Sequence, residues 1–289
     1  DSSVTGVQTC ALPISQARTI AVPEGPTSMF LSQHFAVEAI LEKFGDDLHP
    51  GDVIITNDPF KGHCNHLPDW GFIRPVFYED ELVFVLLTRG HQQDTGGSFP
   101  GGYFANGYDI HAEGLIIPPI KIYDRGVERS DVLELIWNNV RFPEGVKIDN
   151  YALMAGLTVG EKRIHSLLDK YGKESVLNCV EEMLDRMEVN VRATITEIPD
   201  GTYFGESATD DDGTTLDEQV WVRCEATIAG DEMTLDFTES DDQRTGFVNC
   251  VLASTYSRAV AGSFLFFDPE YSPFHNAGSM RPITLIAPE

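Results

Sequence analysis

The sequence predicts an α+β protein with a mixed β-sheet core and packed helices, followed by a mainly antiparallel β region. Three observations predict it. Apolar runs without alternation, such as "DVIIT" and "LVFVLLT", read as strands covered on both faces. Two long stretches, 149–172 and 173–198, carry apolar residues at spacings of three and four and read as helices. After "IPDG" the chain changes to short alternating runs separated by Gly and Asp. The 289 residues, 42% of them hydrophobic, suffice for one large domain or two modest ones with real cores. The expected division is 16–198 for an α/β domain and 199–289 for an antiparallel β plus helix region.

The first fifteen residues, "DSSVTGVQTCALPIS", show neither period nor cap. They read as translated adapter sequence and are left out of the fold. The last stretch, "MRPITLIAPE", stops just after a strand signal, so truncation at both ends is expected. "TSMFLSQHFAVEAILEKFG" has a Thr27-Ser28 cap candidate and apolar Phe35, Ile40, Leu41 and Phe44, and it closes on Gly45, the pattern of an amphipathic helix. "GDVIITNDP" follows as a short buried strand. "FIRPVFYEDELVFVLLTRG" is a hairpin turning at Glu79-Asp80-Glu81. Residues 96–126 are rich in Gly and Pro and read as one long loop, which in a compact domain is usually functional or disordered. Phe99, Tyr103, Phe104 and Tyr108 argue against disorder. "SDVLELIWNNV" is a short capped helix. In the second long helix Val176, Val180, Met183, Met187 and Val191 mark one buried stripe, and these methionines are core rather than a cofactor box. "TYFGESATDDDG", "QVWVRCEATIAG" and "EMTLDFTES" are antiparallel strands, and a helix follows around "VLASTYSRAVAGSFLFF".

Charge and composition narrow the function classes. Lys and Arg total 20 against 46 Asp and Glu, a net charge of −26. Such a surface repels phosphate backbones, so nucleic acid is excluded as a partner. Cys10, Cys64, Cys179, Cys224 and Cys250 are scattered, odd in number and without a CxxC pair, which points to a reducing cytoplasm rather than a disulfide framework. No apolar run has membrane-span length and no signal peptide is seen. GxxxxGK[ST], a GxGxxG after a strand and GxSxG are absent, so ATP, if used, is bound by another chain.

The polar residues crowd into "NDPFKGHCNHLPDWGFIRP" and "TRGHQQDTGG". His66 and Asp69 flank Pro68, which rigidifies the loop. His91 follows the second hairpin strand, and a hairpin brings its two ends together. Two imidazoles and a carboxylate with open positions form a common catalytic metal set, one that without a thiolate suits Mn, Fe or Zn. The alternative is that these histidines cap turns or hydrogen-bond locally. His63 sits on the other side of the loop, and Cys64 has no pairing partner. Asn57 and Asp58 are turn residues before Pro59, or supports for the ligands. The glycines of "DTGG" and "PGG" are flexible, or form an anion nest. "TDDDG" and "ESDD" fail the calcium-loop spacing and are read as solvated turns.

Taken with "GHQQDTGG", "EGLIIPPIKIYDRG", "NNVRFPEGVKIDNYALMAG", "GFVNCVLASTYSRAV" and "PFHNAGSMRPITLIAPE", the stretch "GDVIITNDPFKGHCNHLPDWGFIRPVF" resembles the hydantoinase B/oxoprolinase family. The likeness runs from about residue 30 to the end. It implies a B-type catalytic subunit of an ATP-dependent cyclic amide hydrolase, opening 5-oxoproline or a hydantoin. A hydantoinase A-like partner would spend ATP to phosphorylate the ring carbonyl. The resemblance also implies a metal at His66, Asp69 and His91, since the related acetone carboxylases hold manganese with His-x-x-Asp and a later His. Cys64-Asn65 and "GHQQD" depart from the usual pattern of the family, which bears on substrate and metal identity. Asp94, three residues past His91, is a general-base candidate or a turn acid, and Asn57 and Asp58 would orient ligands. Two other readings stand beside this one: an acetone- or acetophenone-carboxylase-like subunit, and a non-catalytic subunit covering its partner's active site.

Overall fold

The computed structural model describes residues 7–11, 17–21, 31–266 and 275–288. Its centre is a seven-stranded sheet in the order β2-β1-β5-β4-β3-β6-β7. The strands are β1 (Val7–Ala11), β2 (Arg18–Ala21), β3 (Val53–Thr56), β4 (Asp69–Tyr78), β5 (Glu81–His91), β6 (Ile120–Asp124) and β7 (Val127–Glu128). Every neighbouring pair in it is antiparallel. The β4–β5 hairpin turns through Glu79 and Asp80, both at positive φ (51° and 63°), the two-residue geometry that matches strand twist. Strand β1 lies within the segment left out of the fold on sequence grounds. The structure pairs it with both β5 and β2.

Both faces of the central strands are covered, which is why their sequences run apolar without alternation. Val53, Ile55, Phe72, Val76 and Leu86 face a layer formed by helices α2 (Ser130–Trp137), α3 (Pro143–Tyr171) and α4 (Lys173–Thr196). Ile54, Ile73, Val85 and Leu87 face helix α1 (Gln33–Phe44), through Ala36, Val37 and Ile40. Helix α1 stops at Gly45, whose positive φ (47°) lets its N–H reach back to Leu41 O. The cap candidates Thr27 and Ser28 lie outside the described residues. Helix α2 begins at Ser130 after Arg129, without a side-chain cap bond, so Ser130 opens the helix rather than capping it.

A second, four-stranded sheet has the order β11-β10-β9-β8, from β8 (Gly201–Thr209), β9 (Val220–Ala229), β10 (Glu232–Asp236) and β11 (Ile283–Ile286). It is antiparallel except for the β10–β11 pair. One face packs on the end of α4 through Met187, Val191 and Ile195, and on helix α5 (Leu252–Ser263) and the residues just after it through Ala259 and Phe264. Two sheets with packed helices are the α+β architecture expected from the sequence, but the central sheet is antiparallel throughout rather than mixed, and the one parallel pair lies in the second sheet.

Three local expectations change. The stripe of α4 runs through Val180, Leu184, Met187, Val191 and Ile195, leaving Met183 exposed. Positions 183 and 184 both fit a three-or-four spacing from Val180, and only the packing partner chooses between them. The loop from 96 is irregular only to Pro119, because Ile120–Asp124 pair with β3 as β6. Asp212 of "TDDDG" is not a solvated turn. It is buried, and its carboxylate accepts from the amides of Thr214, Thr215 and Gly246.

Candidate metal centre

Antiparallel register builds the site. Asp69 is the first residue of β4 and His91 the last of β5, and the ladder pairs them directly. Directly opposed residues hold their Cβ atoms about 5 Å apart. The loop between β3 and β4 brings in His66. Asp58 shapes its start, with its Oδ1 accepting from the amides of Phe60 (2.8 Å) and Lys61 (3.0 Å). The carbonyl of Asp58 accepts from Gly62 N and Cys64 N. Buried Asn57 fastens the loop's end. Its Nδ2 donates to Leu67 O (2.8 Å) and Leu115 O (2.9 Å), and its Oδ1 accepts from Ile117 N (2.7 Å). Pro68 O accepts from Gln92 N at 2.8 Å, tying the loop to the strand end that carries His91.

The three side chains converge. His66 Nε2 lies 2.9 Å and His91 Nδ1 3.0 Å from the same oxygen, Asp69 Oδ1. The two imidazole centroids are 5.2 Å apart, and the three ligand atoms lie within 4.8 Å of one another. The Asp69 side chain is 2% exposed, against 28% for His66 and 39% for His91, so a buried carboxylate forms the floor and two half-open rings form the walls. Burial alone would raise the Asp69 pKa. The hydrogen bonds from His66 and His91 and the charge of buried Arg89 outweigh it and hold the carboxyl well below its usual range.

Sequence comparison identifies the setting. The profile of the hydantoinase B/oxoprolinase family matches residues 8–289. This chain belongs to that family. It is 35% identical over 251 residues to the beta subunit of a caprolactamase of Pseudomonas jessenii, covering 86% of this chain and 42% of that one. It is 32% identical over 295 residues to the B-type subunit of a putative D-/L-hydantoinase of Pseudomonas sp. (strain NS671), covering 99% and 48%. The crystal structure of the ATP-dependent caprolactamase from Pseudomonas jessenii superposes with a TM-score of 0.90 at 31% identity, over 98% of this chain and 48% of that one. The chain thus spans about half the length of the curated relatives it matches.

The residues of this family member fit a divalent cation. Adjacent ligand atoms in an octahedral site with bonds of about 2.1 Å stand about 3 Å apart, as do the two nitrogens from Asp69 Oδ1. Two imidazoles and an ionised carboxylate are a donor set for Mn, Fe or Zn. No thiolate joins them. Cys64 is buried, its Sγ donates toward Thr56 O and Gly62 O, and burial pushes its thiol up to about 11. His63, held at a positive φ of 47°, lines a surface hollow with Phe60, Lys61 and Lys43 instead.

Asp94 is not part of this cluster. Its Oδ1 accepts from Gly96 N (3.1 Å) and Arg141 Nη1 (2.9 Å), and its Oδ2 accepts from Arg141 N. Burial raises its pKa, but those amides and the guanidinium more than offset this and hold the carboxylate below its ordinary value. Both oxygens are thus committed to clamping the loop after β5 onto the segment before α3. The side chains of Asn57 and Asp58 bond only to backbone groups among their described contacts, Asp58 to its own loop and Asn57 to Leu67, Leu115 and Ile117, so both brace the loop that carries His66.

Two neighbours had no role on sequence grounds. Tyr103 lies against both imidazoles, 5.7 Å from His66 and 5.6 Å from His91 between ring centroids. Glu113 carries a carboxyl that burial pushes up to about 7, with the charge of His66 pulling it back. Both come from the glycine-rich loop, and aromatic residues in a long loop were the signal that it is ordered around something.

Proposed function

We propose that this chain is the catalytic B-type subunit of an ATP-dependent cyclic amide hydrolase, with a divalent metal held by His66, Asp69 and His91. The convergence of two imidazole nitrogens on one buried carboxylate oxygen carries the reading. Kinship with ATP-dependent ring-opening enzymes supplies the substrate class, a lactam or imide such as 5-oxoproline or a hydantoin. A hydantoinase A-like partner, acting with it in the cytoplasm, would use ATP to activate the ring carbonyl.

The chain's own residues supply the rest. Asp69 stays ionised through the physiological range and fixes the orientation of both imidazoles through Nε2 of one and Nδ1 of the other. The half-open rings leave the outer side of the centre to substrate and water. A cation bound there would act as a Lewis acid on the carbonyl oxygen and make water more acidic. Glu113, with a pKa pushed up to about 7 and a charge felt by His66, is the titratable group suited to take or give a proton beside it near neutral pH. Asp94, with both oxygens bonded, is not given that role. Asn57 and Asp58 orient the loop that carries the ligands.

Metal analysis of purified wild type against His91→Ala tests the centre, and equal metal in both would end this reading. In the complex with the ATP-binding partner, substrate-dependent ATP use with and without bicarbonate tests the reaction. A bicarbonate requirement would move the assignment to a ketone carboxylase. Undiminished turnover after His66 and His91 are removed together would leave only a covering role.

A further inference from the structure

Asp69 and His91 are aligned by the β4–β5 ladder, whereas His66 belongs to the loop that leads into β4. Its place therefore depends on what holds the residues just before it. Arg89 lies on β5 two residues before His91, so both side chains leave the same face of the strand, the face that Val85 and Leu87 turn toward α1. The Arg89 side chain is fully buried and runs across Gly71, its partner in the ladder, with Nε 3.9 Å from where a Cβ on that glycine would stand. The two ends of its fork meet the loop by different routes. Nη2 reaches Cys64 Sγ at 3.9 Å, and Nη1 donates to Ser32 Oγ at 3.3 Å. Ser32 is buried immediately before α1, where a serine ordinarily caps the helix with its hydroxyl. Here the side chain makes no cap bond, and its Oγ donates to Asn65 Oδ1 at 2.6 Å instead. Helix α5 adds a second anchor on the same residue, since Ser254 Oγ donates to Asn65 O at 3.1 Å. Cys64 and Asn65, the two residues before His66, are thus tied to one buried cation, the first directly and the second through a hydroxyl.

We propose that Arg89 and Ser32 are positioning residues, a buried latch that sets the place of His66 at the metal centre. The inference rests on the metal reading above and adds the part that aligns the one ligand the ladder does not. Burying a guanidinium is costly unless its arms find partners. Its rigid planar fork serves two acceptors at a fixed spacing, which an ammonium on a flexible stem does not. Attraction of the metal does not explain the residue, because a positive group beside a cation site repels the cation. The charge of Arg89 also favours ionised Asp69, but a lysine would serve that end as well. Only the fork accounts for the reach to both Cys64 and Ser32.

Long-range proton–nitrogen NMR of the imidazoles in the metal-free full chain tests this. Ser32→Ala and Asn65→Ala should shift or broaden the ring signals of His66 and leave those of His91 in place. Arg89→Lys, which keeps the charge, should do the same. If it fails to fold, the other two variants carry the test, because they leave the guanidinium where it is. Titration of the same samples with Mn(II) should show affinity lowered about 10–100-fold in each variant, the range for residues that orient a ligand. A role confined to folding would move both histidines or neither. Signals of the two rings moving alike, a His66 signal untouched in the folded variants, or Arg89→Lys matching wild type in both measurements overturns the latch. Wild type that binds no Mn(II) would sink the metal centre alone, because the imidazole comparison needs no cation.

Discussion

Strands β5 and β8 have similar lengths, eleven and nine residues, but opposite surroundings. From Val83 to Gly90 every residue of β5 is buried, whereas β8 is exposed along nearly its whole length. The first lies between a helix layer on each side and the second at the open edge of its sheet. Rigidity follows from cover. Asp69 and His91 sit at the end of the doubly covered hairpin, where the ladder fixes their spacing and packing fixes their rotamers. The second sheet contributes no ligand, only the loop whose Phe247 meets Tyr103 edge-on. Precise geometry is built where both faces are packed.

The largest contrast should come from His91→Ala. Supporting residues of metal sites cost about 10–100-fold in metal affinity when removed, so loss of a ligand should exceed about 100-fold by direct metal titration. The urea midpoint should fall too, since buried Asp69 loses one of the two hydrogen bonds that hold it ionised. Core truncation sharpens the same comparison on the stability axis. Trp70→Ala on β4, fully buried, should cost about 3–5 kcal/mol, while Phe204→Ala on β8, 79% exposed, should stay within about 0.5 kcal/mol, both by urea unfolding. A similar cost in the two would break the contrast. Asn57→Ala strands Leu67 O, Leu115 O and Ile117 N. It should lose about 2–4 kcal/mol and lower metal affinity about 10–100-fold, linking stability to the site in one substitution.

A pH dependence at the seam between the two parts completes the comparison. His34 on α1 packs edge-on against Tyr256 of α5, and burial pushes its pKa down to about 4. His275, stacked on Phe264, is lowered to about 4 by burial as well. The unfolded chain binds protons at these histidines that the folded chain refuses. Stability should therefore be full above about pH 6.5 and fall as the pH drops toward 4. His34→Gln should flatten part of that slope in urea titrations at stepped pH, and an unchanged slope would remove the seam from the account.

Much of the first region was legible because its physics is local or pairwise. The hairpin turn, the runs buried on both faces, the Gly45 stop and the meeting of His66 and Asp69 with His91 follow from turn chemistry, side-chain alternation and the fact that a hairpin joins its ends. Met183 against Leu184 was not legible, since two positions satisfy the same helical spacing. Asp94 stood between two readings on sequence grounds, because proximity to His91 says nothing about Arg141, 47 residues further on, which bonds its carboxylate. Asp212 was hidden for the same reason: its donors at 214, 215 and 246 become neighbours only after the second sheet forms.

The order of apolar and polar residues therefore determined by itself the central hairpin, the long helices and which three side chains reach one end of that hairpin, but not β1 or β6. Tertiary structure alone decided that Asp69 lies buried beneath two half-open rings. It alone decided that Tyr103 and Phe247, 144 positions apart, stand against each other over them. Periodicity reports the direction a side chain leaves its own backbone, while burial, pKa and ring contacts depend on what the rest of the chain brings to meet it.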